Sequence, residues 1–183
     1  MAEAEITRHR RLSAKNPNIA AEAERKRRPL VSLIGVVDRS FVASNARELQ
    51  RMKALVARLS DKQLAAMVNE YWSLAGILGH IAVWDGRALF LAGKLQRGEQ
   101  FTPSDDDPEN VGWINDSSRP LIHAIAPRAL AELAVSIAEE KDQLVASLPD
   151  ELLAGLGETS PLNPVRADHR GEHLDAVEAS SLA

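Results

Sequence analysis

Residues 72–97 read WSLAGILGHIAVWDGRALFLAGKLQR, and this stretch decides the fold. At 100° per residue, its apolar side chains and one histidine fall within a single narrow arc: Ile77, His80, Trp84, Ala88, Leu91 and Leu95. Gly98 follows, and glycine is common immediately beyond the end of a helix. The stretch therefore predicts one long helix that begins at Trp72 or Ser73, ends before Gly98 and buries His80.

Three further stretches show helical periodicity. Asn45 precedes a glutamate by three residues, as in a capping box, and this predicts a helix over 46–59. Two more helices are predicted over 127–148 and 165–179, with Lys141 off the apolar stripe of the former. Because no convincing pair of strands accompanies them, the sequence predicts an all-α fold, a bundle of four helices.

The segments outside these helices set the domain organisation. Residues 99–120 contain several helix breakers, and they predict a long crossover loop between the second and third helices. This loop permits a topology other than up-and-down. Residues 1–29 are polar and basic, which is typical of a flexible N-terminal extension, and leave 30–183 as the domain. Residues 29–41 fit a strand or a short helix.

Composition excludes several classes of function. The chain has no cysteine, which excludes disulfides, cysteine-bound zinc and a cysteine nucleophile. A net charge of −4 and 4% aromatic residues argue against nucleic-acid binding. No stretch is apolar over the roughly 20 residues of a membrane span, so we expect a soluble cytoplasmic protein. The sequence lacks G-x-S-x-G, P-loop and dinucleotide motifs, so hydride and phosphoryl transfer have no support.

Three histidines could share a metal ion. His169 and His173 are four residues apart, so on a helix they lie one turn apart and can bind one ion. His80 can reach them from the buried face of the second helix. Three imidazoles leave a coordination position open and suit Zn²⁺, Ni²⁺, Co²⁺ or Fe²⁺ better than Mg²⁺ or Ca²⁺. Affinity should then fall below about pH 6.5, where free histidine is protonated.

The alternative is that these histidines serve only as core or surface residues. An H-x-x-x-H spacing arises by chance in roughly one in eight chains of this composition, so the pair alone does not establish a site. His123 is expected to be satisfied by hydrogen bonds or solvent rather than to act as a fourth ligand. Asp85 and Glu172 point away from the faces of the neighbouring histidines, so we expect them to lie in solvent or, as the alternative, to support a ligand by contact, rather than to bind the ion. Trp84 and Tyr71 are candidates for a substrate pocket, although such aromatics also pack as core.

Two motifs resemble the DinB-like superfamily. Residues 72–82, WSLAGILGHIA, are similar to its second-helix signature, and residues 169–174, HRGEHL, are similar to its last-helix signature. The order of one distant histidine followed by H-x-x-x-H is also similar, and the resemblance covers about residues 45–179. It implies a four-helix bundle in which His80, His169 and His173 bind a divalent ion, often nickel or zinc.

The resemblance also implies a range of activities. Relatives include mycothiol-dependent maleylpyruvate isomerase and bacillithiol-dependent S-transferases, so it implies a metal-dependent thiol S-transferase or isomerase with a small-molecule substrate. The metal would lower the pKa of a low-molecular-weight thiol such as mycothiol or bacillithiol. Two alternatives stay open: a non-catalytic, stress-related protein that binds a metal or small molecule, and a metal-dependent hydrolase. Such bundles commonly pair through an exposed helix face, so a homodimer also stays open.

Overall fold

Seven α-helices occur in the residues that the computed structural model describes, which are 37–102, 110–157 and 160–180. In chain order they are α1 (Ser40–Arg58), α2 (Asp61–Ala65), α3 (Leu74–Gln96), α4 (Asn110–His123), α5 (Pro127–Ser147), α6 (Asp150–Ala154) and α7 (Ala167–Ala179). Within these ranges no β-strand forms; an isolated antiparallel bridge joins Met67 to Ser73, and Val37 is a further bridge residue. The predicted all-α class is confirmed.

Four of these helices, α1, α3, α5 and α7, form the bundle. The helix α3 packs against α5 and α7, and α1 packs against the same two helices. Consequently α1 and α3 lie at diagonal positions of the bundle, although they follow each other in the chain. In an up-and-down bundle consecutive helices are neighbours. This bundle therefore has a different topology, in which a long connection joins the diagonal helices α1 and α3.

Two clusters of buried apolar side chains lie along the bundle. The first is contributed by all four bundle helices and includes Met52, Leu55, Leu78, Ile81, Ala134 and Leu174. The second adds the short helix α6 and the segment that follows it, and includes Phe41, Leu91, Val145, Leu153 and Leu162. Each fully buried aliphatic side chain of this size stabilises the fold by about 1.5–3 kcal/mol. These clusters hold the helices in contact around the site described below.

The helix α3 is long and apolar enough to cross a membrane by length and composition alone. The sequence-based statement that no stretch is so apolar is therefore wrong. However, 67% of its most apolar stretch is buried inside the protein, beneath helices that include α5 and α7. Burial of this extent is typical of the central helix of a bundle. A cytoplasmic location stays a prediction.

The first bundle helix begins earlier than predicted. Because α1 starts at Ser40, Asn45 lies inside the helix and does not cap it. The Asn45 side chain is only 2% exposed, and its Nδ2 donates to the carbonyl oxygen of Pro164 at 2.8 Å. Its Oδ1 accepts from the backbone N–H groups of Arg166 and Ala167 at 2.8 and 2.9 Å. Asn45 thus caps the start of α7 from across the bundle, a contact that sequence spacing does not reveal.

The helix α4 occupies part of the predicted crossover loop, so that prediction is wrong over 110–120. It continues through Pro120, although proline lacks the N–H needed for a helical hydrogen bond. It packs against α3 and buries Ile122 in the core. Tertiary burial therefore outweighs the weak helix propensities of this segment. Residues 103–109 of the predicted loop lie outside the described ranges.

The burial of Lys141 contradicts the prediction that this residue lies off the apolar stripe of the third bundle helix. Its side chain is fully buried rather than solvated. The Nζ atom donates to the carbonyl oxygen of Pro164 at 2.9 Å and pairs with Asp142 at 3.1 Å. Burial lowers the pKa of Lys141 to about 8. Like Asn45, this lysine supports the segment that leads into α7.

The predicted N-terminal extension, 1–29, lies outside the described residues, and the domain boundary at residue 30 stays a prediction. Most of the ambiguous segment 29–41 lies outside them too. Of its described residues, Val37 forms an isolated β-bridge, whereas Ser40 and Phe41 belong to α1, so both alternatives stay predictions.

We expect Asn45→Ala to lower the free energy of unfolding by about 2–4 kcal/mol, because it leaves one buried and one half-buried N–H group without their acceptor. Gln50→Ala, at an exposed position of α1, is the matched control and should change it by less than about 0.5 kcal/mol. Urea unfolding followed by circular dichroism measures both variants. Equal stability of the two would contradict the capping role.

Candidate metal centre

The structure brings the three predicted histidines together. His80 lies on α3, and His169 and His173 lie one turn apart on α7, which packs against α3. One ring nitrogen of each lies within 4.8 Å of the others. The ring centroids are 4.6 Å apart for His169 and His173, and 5.3 and 4.7 Å from His80 to these two. Nitrogens bound to one tetrahedral ion are about 3–4 Å apart, so small ring rotations would suffice to share one.

Burial keeps these imidazoles in the form that binds metals. It lowers the pKa of His80 to about 3, with further contributions from the charges of His173, Arg166 and Arg119. Burial, and after it the charge of Arg166, lowers the pKa of His173 to about 4. The pKa of His169 is likewise lowered well below its ordinary value, first by burial and then by Arg166. All three rings are therefore neutral at pH 7, as nitrogen ligands must be.

One ring nitrogen is also left without a hydrogen bond. The Nε2 atom of His173 is buried, and no partner for it exists among the described residues. Buried polar atoms in native proteins are nearly always satisfied, and an ion is one of the groups that can satisfy them. The burial, neutrality and spacing of the three nitrogens thus fit a divalent transition-metal ion.

Arg166 directly contacts the histidine cluster, which consists of His80, His169 and His173. Its Nη2 lies 2.7 Å from Nδ1 of His169. Because a guanidinium group only donates hydrogen bonds, Nδ1 is the accepting nitrogen. A neutral ring in this arrangement carries its proton on Nε2, so an ion bound at Nε2 has to replace that proton. The contact with Arg166 and an ion therefore compete for this ring.

Asp85 holds Arg166 in place. Its carboxylate is fully buried, and it accepts from Nε of Arg166 at 2.9 Å and from Nε of Arg170 at 2.8 Å. Burial alone would raise the pKa of Asp85, but the charges of the two arginines outweigh it and hold the pKa below its ordinary value. The expectation that solvent surrounds Asp85 is therefore wrong, whereas Glu172 is exposed as expected.

Arg170 extends this network to a third helix. It is fully buried and makes a two-pronged ion pair with Asp142 on α5, with distances of 2.7 and 3.1 Å. A continuous chain of charged groups thus runs from Asp142 through Arg170, Asp85 and Arg166 to His169. Sequence reasoning missed Arg166 and Arg170, because arginines beside a histidine pair are usually solvated.

Two tryptophans flank His80. The Trp72 ring centroid lies 5.7 Å from that of His80, and the Trp84 ring meets it edge-on at 6.4 Å. The Nε1 of Trp84 donates to Oδ1 of Asn115 on α4 at 2.9 Å. Of the two predicted pocket residues, Trp84 therefore lies beside the cluster.

The other predicted pocket residue, Tyr71, is turned elsewhere. Its side chain is 46% exposed, and its ring lies 5.1 Å from Cζ of Arg119. His123 contributes no nitrogen to the cluster. Instead its ring stacks on Trp72, and its Nε2 lies 3.0 Å from the carbonyl oxygen of Tyr71. This agrees with the expectation that hydrogen bonds satisfy His123.

Comparison with known proteins adds one match. A family model described as the DinB superfamily matches residues 45–174, a range that contains the three clustered histidines. No curated protein and no solved structure matches the chain. The range begins inside α1 and ends inside α7, so it includes all of α3 and α5 and parts of α1 and α7.

We expect His80→Ala to reduce zinc affinity by about a hundredfold or more, because two imidazoles on one helix remain in place of three nitrogen donors. His123→Ala, which removes a histidine outside the cluster, is the matched control and should retain zinc. Elemental analysis after dialysis measures the metal content, and circular dichroism checks that both variants fold. An unchanged zinc content of His80→Ala would contradict the three-histidine site.

We also expect the metal-free protein to lose stability as the pH falls below about 6.5. In that range His80 and His173 bind protons in the unfolded state. In the folded state their pKa values are about 3 and about 4, so they stay neutral. Each histidine should then lower the free energy of unfolding by about 1 kcal/mol per pH unit. For the same reason, the fall in metal affinity moves to a lower pH than the sequence suggests.

Urea unfolding at pH 7, 6 and 5 with a chelator measures this dependence. His173→Gln should show a shallower loss of stability with falling pH, and exposed His123→Ala should keep the slope of the unsubstituted protein. Identical slopes in all three proteins would show that the buried histidines do not cause the effect.

Proposed function

The chain belongs to the DinB superfamily, and from this we propose that it is a metal-dependent thiol S-transferase or isomerase. The observation that carries the proposal is the set of three neutral imidazoles whose nitrogens lie within 4.8 Å of one another. Three protein ligands on a tetrahedral ion leave one position open, as in catalytic rather than structural sites. Nickel and zinc are the ions that we expect at His80, His169 and His173.

A bound divalent ion would supply Lewis acidity that lowers the pKa of a thiol at the open position. The chain has no cysteine, so the sulfur must come from a small molecule, and mycothiol or bacillithiol would serve. In a transfer reaction the thiolate attacks an electrophilic carbon, and an S–C bond forms. The leaving group departs with the electron pair of the broken bond, and solvent takes the thiol proton.

The protein's own residues would contribute position and exclusion of water. Trp72 and Trp84 shield His80 on two sides. Arg166 is held next to the His169 ring by buried Asp85. A ligand held at such a cluster meets groups that are already oriented, which lowers the entropic cost of reaction.

The described residues support a hydrolase less well. Hydrolysis by metal-bound water needs a general base near the ion. Asp85 is the carboxylate tied to the cluster, but two arginines occupy both of its oxygens and keep its pKa low. A protein that only binds a metal or a small molecule would use the same histidines without turnover.

We expect zinc- or nickel-loaded protein to catalyse S–C bond formation between a low-molecular-weight thiol and 1-chloro-2,4-dinitrobenzene, with release of chloride. The assay compares mycothiol, bacillithiol and simple thiols, and it follows the thioether by absorbance over many turnovers. Removal of the ion or His80→Ala should abolish turnover, and His123→Ala should not.

Thiol consumption that stops at one equivalent per protein would instead indicate a binding protein. Turnover of an ester or amide without any thiol would indicate a hydrolase. Either result would overturn the proposed transferase or isomerase activity.

A further inference from the structure

The helix α4 places an arginine against Trp72, one of the tryptophans that flank His80. Asn115 and Arg119 lie one turn apart on α4, and each contacts one of the tryptophans that flank His80. Asn115 holds Trp84, and Cζ of Arg119 lies 5.1 Å from the ring centroid of Trp72. We propose that Arg119 is a specificity-determining residue that binds a carboxylate of the small molecule whose thiol occupies the open position of the metal site.

This inference rests on the proposed function, because it assigns a ligand class to the same site. Its first support is the hydrogen bonding of Arg119. The guanidinium lies against the rings of Tyr71 and Trp72, each at 5.1 Å. Its Nη2 donates to Oδ1 of Asp116 at 2.7 Å, but its buried Nε has no partner among the described residues. A planar cation held against two rings with a donor unused is suited to a carboxylate.

The second support is the pattern of charge. Two cations lie near the cluster: Arg166, whose Nη2 is 2.7 Å from Nδ1 of His169, and Arg119, which lies against the Trp72 ring. Asp85 is already paired with two arginines. A divalent ion would add further positive charge, so an anionic ligand balances the site better than a neutral one does.

The position of the charges also separates the roles of the two arginines. Arg166 is paired with Asp85 at 2.9 Å, and because this carboxylate is fully buried, water does not weaken the pair. The ion-pair partner of Arg119, Asp116, is 68% exposed, so water weakens their pairing. Of the two, Arg119 is therefore the group that can exchange its present partner for a ligand.

The test uses the full chain loaded with Co²⁺, in which a bound thiolate produces a charge-transfer absorption that can be titrated. The two probes are 3-mercaptopropionate and its neutral amide, 3-mercaptopropanamide, which differ in the acid group and little in size. The unsubstituted protein should bind the acid about tenfold more tightly than the amide, the range of one charge-assisted hydrogen bond.

Arg119→Gln should remove this preference and leave cobalt content and amide binding unchanged. Arg119→Lys, which keeps the charge, should restore part of the preference. Arg97→Gln is the control, since Arg97 lies at the far end of α3 from His80 and pairs with Glu99. Cobalt content and circular dichroism show whether each variant is folded.

The outcomes separate this inference from the proposed function. If both thiols bind equally well to the unsubstituted protein, or if the preference survives Arg119→Gln, the role of Arg119 is refuted and the metal–thiol chemistry stands. If cobalt binds but neither thiol produces the charge-transfer band, the proposed function fails and this inference falls with it.

Discussion

The buried carboxylate of Asp85, bound by Arg166 and Arg170, is the interaction on which the rest of the site depends. It joins α3 to α7, and Arg170 continues the connection to Asp142 on α5. Burying these charges is costly, so each must keep its partners, and removing one partner of such a pair typically destabilises a protein by about 3–5 kcal/mol. The network therefore allows α3 and α7 little freedom to slide past each other, and this keeps His80 opposite the histidine pair.

The same network shapes the chemistry of the cluster. Because Asp85 is neutralised by arginines, the three imidazoles have cations rather than a free carboxylate as charged neighbours. Burial and these charges keep the rings neutral, which suits metal binding, while the surplus of positive charge favours an anionic ligand on the ion. Metal binding, and the thiol activation and acid-group recognition that we propose, would thus be three consequences of one arrangement of charge.

Much of the fold could be predicted because it depends on local periodicity. The predicted ends of α3, α5 and α7 lie within two residues of the observed ones, since each carries an apolar stripe or a strong end signal. The start of α1 and the helix α4 could not be predicted in this way. The spacing of Asn45 is typical of a cap of its own helix, but its side chain caps α7. The helix α4 contains weak helix formers and forms because it packs against α3.

The sequence by itself determined the helical class, the family resemblance and the candidacy of His80, His169 and His173, because helical phase alone places them on faces that can meet. Only the tertiary structure decided that their nitrogens approach within 4.8 Å, that Asp85 and Lys141 are buried, and that Arg119 lies against Trp72. The reason is physical. From sequence alone, a charged side chain is expected to be exposed to solvent. Its burial is tolerated only when residues distant in the sequence pair with it.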